Sequence, residues 1–283
     1  MSEQLREAIT RAAGRGVRSL EHLAGGDIND AYQVTMVDGS RLFAKTRAKP
    51  PPGMYVREAE GLAWLREADA IATPEVIAAT EQLLLLSWVE RAAPARDYDV
   101  QLGHGLARLH AAGAPRVGLA VDNYIGDLPQ CNAARATWSE FYRDCRLMPL
   151  VARARERGRL GAQHTRAFER LYEHLPELCG EPEPVARVHG DLWSGNVHVG
   201  PLGEPVLIDP SVYGGHRELD LAMLQLFGSP SPSFFAAYDE VWPRAPGYAE
   251  RVALYQLYPL LVHVNLFAHG YVKLLESALA NYA

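Results

Sequence analysis

The chain is short of several things that would mark particular classes of protein. Only three of its 283 residues are cysteine, Cys131, Cys145 and Cys179. The number is odd, the spacing is wide, and no CxxC or Cys/His ligand pattern occurs. Neither a disulfide framework nor a zinc site is expected, and a reducing compartment fits best. A basic excess is missing too, with a formal net charge of -6. The densest basic cluster, Arg153, Arg155, Arg157 and Arg159, is interrupted by Glu156 and reads as a solvated helix face. That speaks against a nucleic-acid partner. The most apolar short run, residues 83–86, is far too short to cross a bilayer. The N-terminal residues lack the basic start and apolar run of a secretory signal. The expectation is a cytoplasmic monomer with no nucleic-acid or membrane partner. Repeats and low-complexity linkers are absent as well.

What is present is average for a soluble globular protein, 48% hydrophobic and 22% charged, at a length that allows one large domain or two lobes. Residues 3–14 carry helical periodicity through Leu5, Ala8, Ile9 and Ala12. Gly25-Gly26-Asp27-Ile28-Asn29-Asp30 marks a tight loop. Strand formers follow over 31–37, Asp38-Gly39 is a hairpin signal, and the return strand is Arg41–Thr46. After the Pro50-Pro51-Pro52-Gly53 break, 54–68 reads as a helix, and 75–79 and 82–89 as strands. Beyond Glu90 the character turns helical, over 99–112, 137–159, 163–178, 219–227 and from 248 to the end. A short strand–loop–strand stretch at 185–208 interrupts it. The reading is an α+β chain of two lobes. Residues 1–88 form a small antiparallel sheet with one main helix, and 89–283 a mostly helical lobe.

The most specific segment is Val188-His189-Gly190-Asp191-Leu192-Trp193-Ser194-Gly195-Asn196-Val197. It contains H-x-D-L-x-x-x-N, the spacing of a kinase catalytic loop. Phosphoryl transfer to an alcohol needs an Asp to orient or take the hydroxyl proton, and an Asn nearby on the same loop to hold Mg²⁺. Asp191 and Asn196 fit. The apolar run Val206-Leu207-Ile208 then ends in Asp209, a second hard oxygen ligand for the metal. A hairpin between 197–199 and 206–208 would bring it near Asn196. Lysine is scarce, at Lys45, Lys49 and Lys273 only. Lys45 lies in the return strand after the Gly25-Gly26 loop, where a kinase places the lysine that meets the α- and β-phosphates. Either Glu58 or Glu60 on the next helix could hold it, but not both, because they do not share a helix face. Glu58 is preferred. Taken singly, these signals are weak. Gly25-Gly26 lacks the full G-x-G-x-x-G and reads equally as a turn, and His189 reads as a structural histidine. Their order along the chain carries the kinase reading.

With those motifs in hand, the chain resembles the fructosamine/ketosamine-3-kinase family, relatives of the aminoglycoside and choline phosphotransferases with a protein-kinase-like fold. The resemblance runs through Gly25–Tyr32 and Glu58-Ala59-Glu60-Gly61-Leu62. It continues in Asn123-Tyr124-Ile125-Gly126, Leu128-Pro129-Gln130 and His189–Asn196, then in Gly215-His216-Arg217-Glu218-Leu219-Asp220 and Leu254-Tyr255-Gln256-Leu257-Tyr258. The Trp after Asp-Leu is its distinctive mark. The resemblance implies transfer of the ATP γ-phosphate to the 3-hydroxyl of a ketosamine, a small molecule or a glycated protein lysine, in deglycation repair. It also implies that Asp220 supports the catalytic loop from behind.

On that reading ATP lies under the loop of Gly25, Gly26, Ile28 and Asn29. Lys45 and Glu58 position its phosphates, Ser87, Trp88 and Val89 receive adenine, and Asn196 and Asp209 hold Mg²⁺. Trp193 offers a face to the sugar or its amine, with His216 lining the same cleft. The chain departs from the family at Asp27, where some members carry a redox-active Cys. It departs again at Cys131, where relatives often have Pro, and at Pro259 in a C-terminal segment. Two rivals remain at this level. One is an aminoglycoside or choline type of acceptor, and the other a nucleotide-binding pseudokinase. A protein kinase is disfavoured because no Ala-Pro-Glu follows Asp209.

Overall fold

A computed structural model describes residues 2–24, 29–228, 230–267 and 269–282. The chain divides into two compact units: Met1–Tyr98 with Val197–Pro210, and Asp99–Asn196 with Ser211–Ala283. The reading from sequence gave everything after residue 88 to the second lobe. In the structure the hairpin Val197–Pro210 groups with the first unit, where the Leu207 N–H donates to the Ala72 carbonyl at 2.9 Å and the Ala95 N–H to that of Gly203 at 3.0 Å.

In chain order the first unit starts with α1 (Ser2–Ala13), β1 (Val17–Leu23), β2 (Asp30–Met36), β3 (Arg41–Thr46), α2 (Met54–Arg66), β4 (Val76–Ala79) and β5 (Leu83–Ser87). The strands form one antiparallel sheet in the order β1-β2-β3-β5-β4. Ile9 of α1 packs with Val34, Met36, Leu42, Ala44, Leu83 and Leu85. Strand β5 is apolar on both faces because α1 and α2 both contact it; its four leucines are buried, each contributing about 2 kcal/mol of transfer free energy. Side chains alternate along β3. Ala44 therefore joins the α1 core, and Lys45 emerges on the opposite face.

The second unit contributes α3 (Tyr98–Ala111), β6 (Asn123–Ile125), β7 (Leu128–Gln130), α4 (Trp138–Phe141), α5 (Met148–Glu156), α6 (Ala162–Leu178) and β8 (Ala186–Val188). A widened, π-helical stretch over Tyr142–Leu147 joins α4 to α5, so the stretch expected as one helix runs without a gap from Trp138 to Glu156 with a π-type section inside it. The strands β9 (Val197–Val199) and β10 (Pro205–Leu207) form the hairpin of the first unit. The chain then returns through β11 (Tyr213–Gly215), α7 (Glu218–Leu226), α8 (Pro232–Val241), α9 (Tyr248–Phe267) and α10 (Val272–Leu279). The core of this unit surrounds α9, with Leu254, Tyr255, Leu257, Tyr258, Leu261 and Val264 buried. Pro259 does not end that helix. It is buried within it, and His263 Nδ1 donates to its carbonyl at 2.8 Å. Among the described residues no helix is long and apolar enough to cross a membrane.

Candidate active site

The residues singled out in the sequence fall into two clusters, one in each unit. The first centres on Lys45. On α2, Tyr55, Glu58, Leu62 and Leu65 recur at the three- and four-residue spacing of one helix face, and that face meets the sheet. Glu58 therefore points inward. Its two oxygens lie 2.9 and 3.0 Å from Lys45 Nζ. Glu60 faces solvent and pairs with Arg57 instead. A second carboxylate, Asp209 Oδ2, lies 3.2 Å from the same ammonium. Lys45 is only 9% exposed, so this ion cluster is largely withdrawn from water.

Two carboxylates face one ammonium. Burial alone would lower the Lys45 pKa, but Asp209 and Glu58 outweigh it and raise it, so the lysine is charged. Glu58 is pushed up to about 7, first by burial, with Asp209 adding to the shift and Lys45 opposing it. With Glu58 ionised, the two carboxylates exceed the one ammonium by one charge. Asp209 itself is held at φ +51, in the left-handed region, which costs a non-glycine residue on the order of 1 kcal/mol or more. Its side chain is 38% exposed. A strained, accessible carboxylate next to surplus negative charge suits a cation.

The other residues expected at the nucleotide are placed as follows. Gly25, Gly26 and Ile28 lie outside the described residues. Asn29, at their downstream edge, accepts a hydrogen bond from Tyr55 OH at 2.9 Å, which ties the end of that loop to α2. Ser87 closes β5: its N–H donates to the Glu75 carbonyl, and its Oγ accepts from the Glu75 N–H. Trp88 and Val89 continue beyond the ladder, half-buried, and the indole N–H of Trp88 is buried with no hydrogen-bond partner among the described residues.

The second cluster is the 189–196 loop. It leaves β8, which pairs with β11 through Val188 and Tyr213. Gly190 has φ +83, and a Cβ there would meet the Ser211 carbonyl at 2.1 Å, so only glycine fits. Asp220, in the first turn of α7 and 1% exposed, accepts the N–H groups of His189 at 2.7 Å and Gly190 at 2.9 Å. His110 Nε2 donates to the same carboxylate at 3.2 Å. Burial would raise the Asp220 pKa; the hydrogen bonds from His110 and Gly190, with the nearby histidines, outweigh it and hold the group below the usual carboxylate range. His189 is buried, and its Nδ1 accepts the Asp191 N–H.

Asn196 Nδ2 donates to the Asp191 carbonyl at 2.9 Å and to its Oδ2 at 3.0 Å, which fixes the rotamer of the acid. An amide that donates through nitrogen coordinates through oxygen, so Asn196 offers the hard donor that Mg²⁺ takes. The hairpin β9–β10 starts directly after Asn196, and Asp209 stands two residues past its end. Trp193 is 40% exposed. Its indole covers Gly195, where a Cβ would lie 2.3 Å from the ring.

One expectation needs correcting. His216 is buried, stacked on Tyr255 at 5.0 Å and 3.7 Å from Glu183. Burial pushes its pKa down to about 4. It packs the start of α7 as a neutral ring and presents nothing to an acceptor. Conversely, two buried amides escaped the reading from sequence. Asn123 Nδ2 donates to the Val212 carbonyl at 2.9 Å, and Gln130 Nε2 donates to Ser211 at 3.0 Å. They grip the segment just after Pro210, and the Ser211 N–H in turn donates to the His189 carbonyl. Their place in N-Y-I and L-P-Q, polar residues ending short apolar strands, was the available signal.

Comparison with known proteins follows the same line. The family model described as fructosamine kinase matches residues 1–283. A probable ketoamine kinase of Synechocystis is 35% identical, covering 98% of this chain and 95% of its own. A chloroplastic protein-ribulosamine 3-kinase of Oryza sativa is 33% identical over 97% of this chain and 81% of its own. A solved structure assigned as a fructosamine-3-kinase, from Thermobifida fusca, superposes with a TM-score of 0.92 at 39% identity, covering 98% of each chain. More distant small-molecule phosphotransferases share the fold. The chain thus belongs to the fructosamine kinase family and is an ATP-dependent phosphotransferase with a protein-kinase-like α+β fold.

Proposed function

We propose that the chain transfers the γ-phosphate of ATP to the 3-hydroxyl of a ketosamine, a fructosamine or ribulosamine, carried by a small amine or by a glycated protein lysine, and that it does so in the cytoplasm. The observation that carries this reading is the buried Lys45 held by Glu58 with Asp209 3.2 Å away. Names of relatives that act on ketoamines and ribulosamines support the acceptor.

In this mechanism Lys45 orients the α- and β-phosphates, and Glu58 keeps the lysine in place. Trp88 and Val89 receive the adenine edge, with Ser87 fixing the strand before them. Asp209 and Asn196 would hold Mg²⁺, which when bound offsets charge on the phosphate oxygens. Asp191, with its rotamer set by Asn196, takes the proton of the acceptor hydroxyl. Trp193 offers an apolar face to the C–H side of the sugar or a π-face to a cationic amine. The rest is positioning, since phosphoryl transfer asks the protein mainly for alignment and electrostatics.

The test is a phosphate-transfer screen over ketosamines of different sugar length, with aminoglycosides and choline as controls. Transfer to a fructose- or ribulose-amine, lost in Asp191→Ala, is the expected result. Transfer to kanamycin or choline alone would assign a different acceptor, and ATP binding without any turnover would make this a pseudokinase.

A further inference from the structure

Two thiols stand outside everything the phosphotransfer reading uses. Cys131 follows Gln130 directly at the end of β7 and is half-buried; Cys145 sits in the widened turn between α4 and α5 and is buried. Their sulfurs lie 3.2 Å apart. Two guanidiniums flank the pair. Arg135 is ion-paired with Asp144 at 2.8 Å, and Arg146 donates to the Cys131 carbonyl. Both act on Cys145 in the direction that favours a thiolate, although burial first, and the neighbouring Cys131, push that thiol up to about 12. The more accessible sulfur therefore meets a reagent first, and the buried one is its resolving partner.

We propose that Cys131 and Cys145 form a reversible oxidation site, closed to an intramolecular disulfide by a peroxide and reopened by a dithiol, and that closure slows phosphotransfer through Gln130. The second half rests on the kinase reading; the first does not.

The Cys131 thiolate attacks one peroxide oxygen, giving a sulfenic acid and releasing hydroxide. The Cys145 thiol gives its proton to that hydroxide, and its sulfur displaces hydroxide from the sulfenic sulfur. With the Cys131 proton returned, two thiols and one peroxide become one disulfide and two waters. A dithiol reverses this by exchange, itself becoming a disulfide.

A disulfide is about 2.05 Å long, against a sulfur–sulfur distance of 3.2 Å, so closure brings the two sulfurs about an ångström closer and re-seats the Cys131 side chain. Gln130 is the residue before the moving cysteine. Besides Ser211 it holds Asn123 Oδ1 and accepts from Tyr258 OH. From Ser211 the strain passes by one hydrogen bond to His189, two residues before Asp191. A fraction of that movement reaching Asp191 costs a phosphotransfer site on the order of tenfold in rate, less than the roughly 10²-fold of a full ångström.

The test treats the reduced chain with hydrogen peroxide and maps its peptides without reduction. A cross-link joining the 131 and 145 peptides, with Cys179 still a thiol, is expected. So is a kcat lowered on the order of tenfold at an ATP KM changed less than about twofold, with dithiothreitol restoring both. Cys145→Ala leaves a small hole in the core, so Cys131→Ser is the decisive control, and its kcat should not respond to peroxide. Two free thiols, a sulfinic acid at Cys131, or a cross-link to Cys179 or to a second chain would overturn the site. The cross-link with kcat unchanged would overturn the coupling. If the reduced chain phosphorylates no ketosamine, the functional reading fails while the peptide map still decides the site.

Discussion

Asp209 in the first unit, two residues past β10, and Asp220 in the second, in the first turn of α7, sit in opposite conditions. Asp209 is partly exposed, strained at φ +51, and adds a second negative charge beside Lys45. Asp220 is buried, relaxed in a helical first turn, and has its oxygens taken by two backbone N–H groups and His110. The first acid leaves a charge imbalance that a ligand can correct. The second satisfies two buried N–H groups at the start of the loop that bears Asp191. Exposure and support are thus divided, and the division is visible in burial and backbone conformation before any ligand is considered.

The largest effect that would break this division is on turnover. Asp191→Ala should lower kcat by at least about 10²-fold while nucleotide affinity and melting temperature hold, as measured by steady-state kinetics beside calorimetry. Next comes stability. Asp220→Ala strands two buried N–H donors and His110, and should cost about 3 kcal/mol in urea unfolding; a wild-type midpoint would refute its supporting role. Lys45→Met leaves two carboxylates facing each other, so it should raise the ATP KM by about tenfold or more and unfold more easily at pH 8 than at pH 5. Equal midpoints at the two pH values would place the surplus charge elsewhere.

The smallest effect is on pH dependence, and its sign separates the units. Glu58 titrates near 7 folded against 4.5 in the open chain. Between those values the folded protein binds more protons, so stability falls as pH rises, by at most about 1.4 kcal/mol per unit. His216 titrates near 4 folded against 6.5, so its contribution is lost as pH falls through that window. The two slopes oppose each other from 4.5 to 6.5. Glu58→Gln should leave the His216 slope alone, with stability rising with pH there. A profile identical to wild type would contradict the buried acid.

The Lys45–Glu58 pair and the 189–196 loop were legible in the sequence because their residues are fixed by local spacing. H-x-D-L-x-x-x-N is one loop, and Glu58 follows from helical periodicity with Tyr55 and Leu62. Strand β3 matches residue for residue, since Asp38-Gly39 sets the hairpin. Strand β1 was not legible: Val17, Leu20 and Leu23 recur every third residue along an edge strand with a register shift, so no alternation appears. Nor were the three-residue strands β6 and β7, or the π-helical stretch at 142–147. The hook made by Asn123 and Gln130, and the burial of His216, depend on partners about eighty and forty residues away. Such contacts leave no local pattern.

The central claim is that the Lys45–Glu58–Asp209 cluster, one negative charge in excess when Glu58 is ionised, accepts Mg²⁺ with its nucleotide. Titrating ATP calorimetrically with and without Mg²⁺, on wild type and Asp209→Asn, tests it directly. The account predicts that Mg²⁺ tightens ATP binding to wild type by about tenfold or more, and that Asp209→Asn loses most of that gain while folding at least as stably. Equal Mg²⁺ dependence in the two proteins would contradict it.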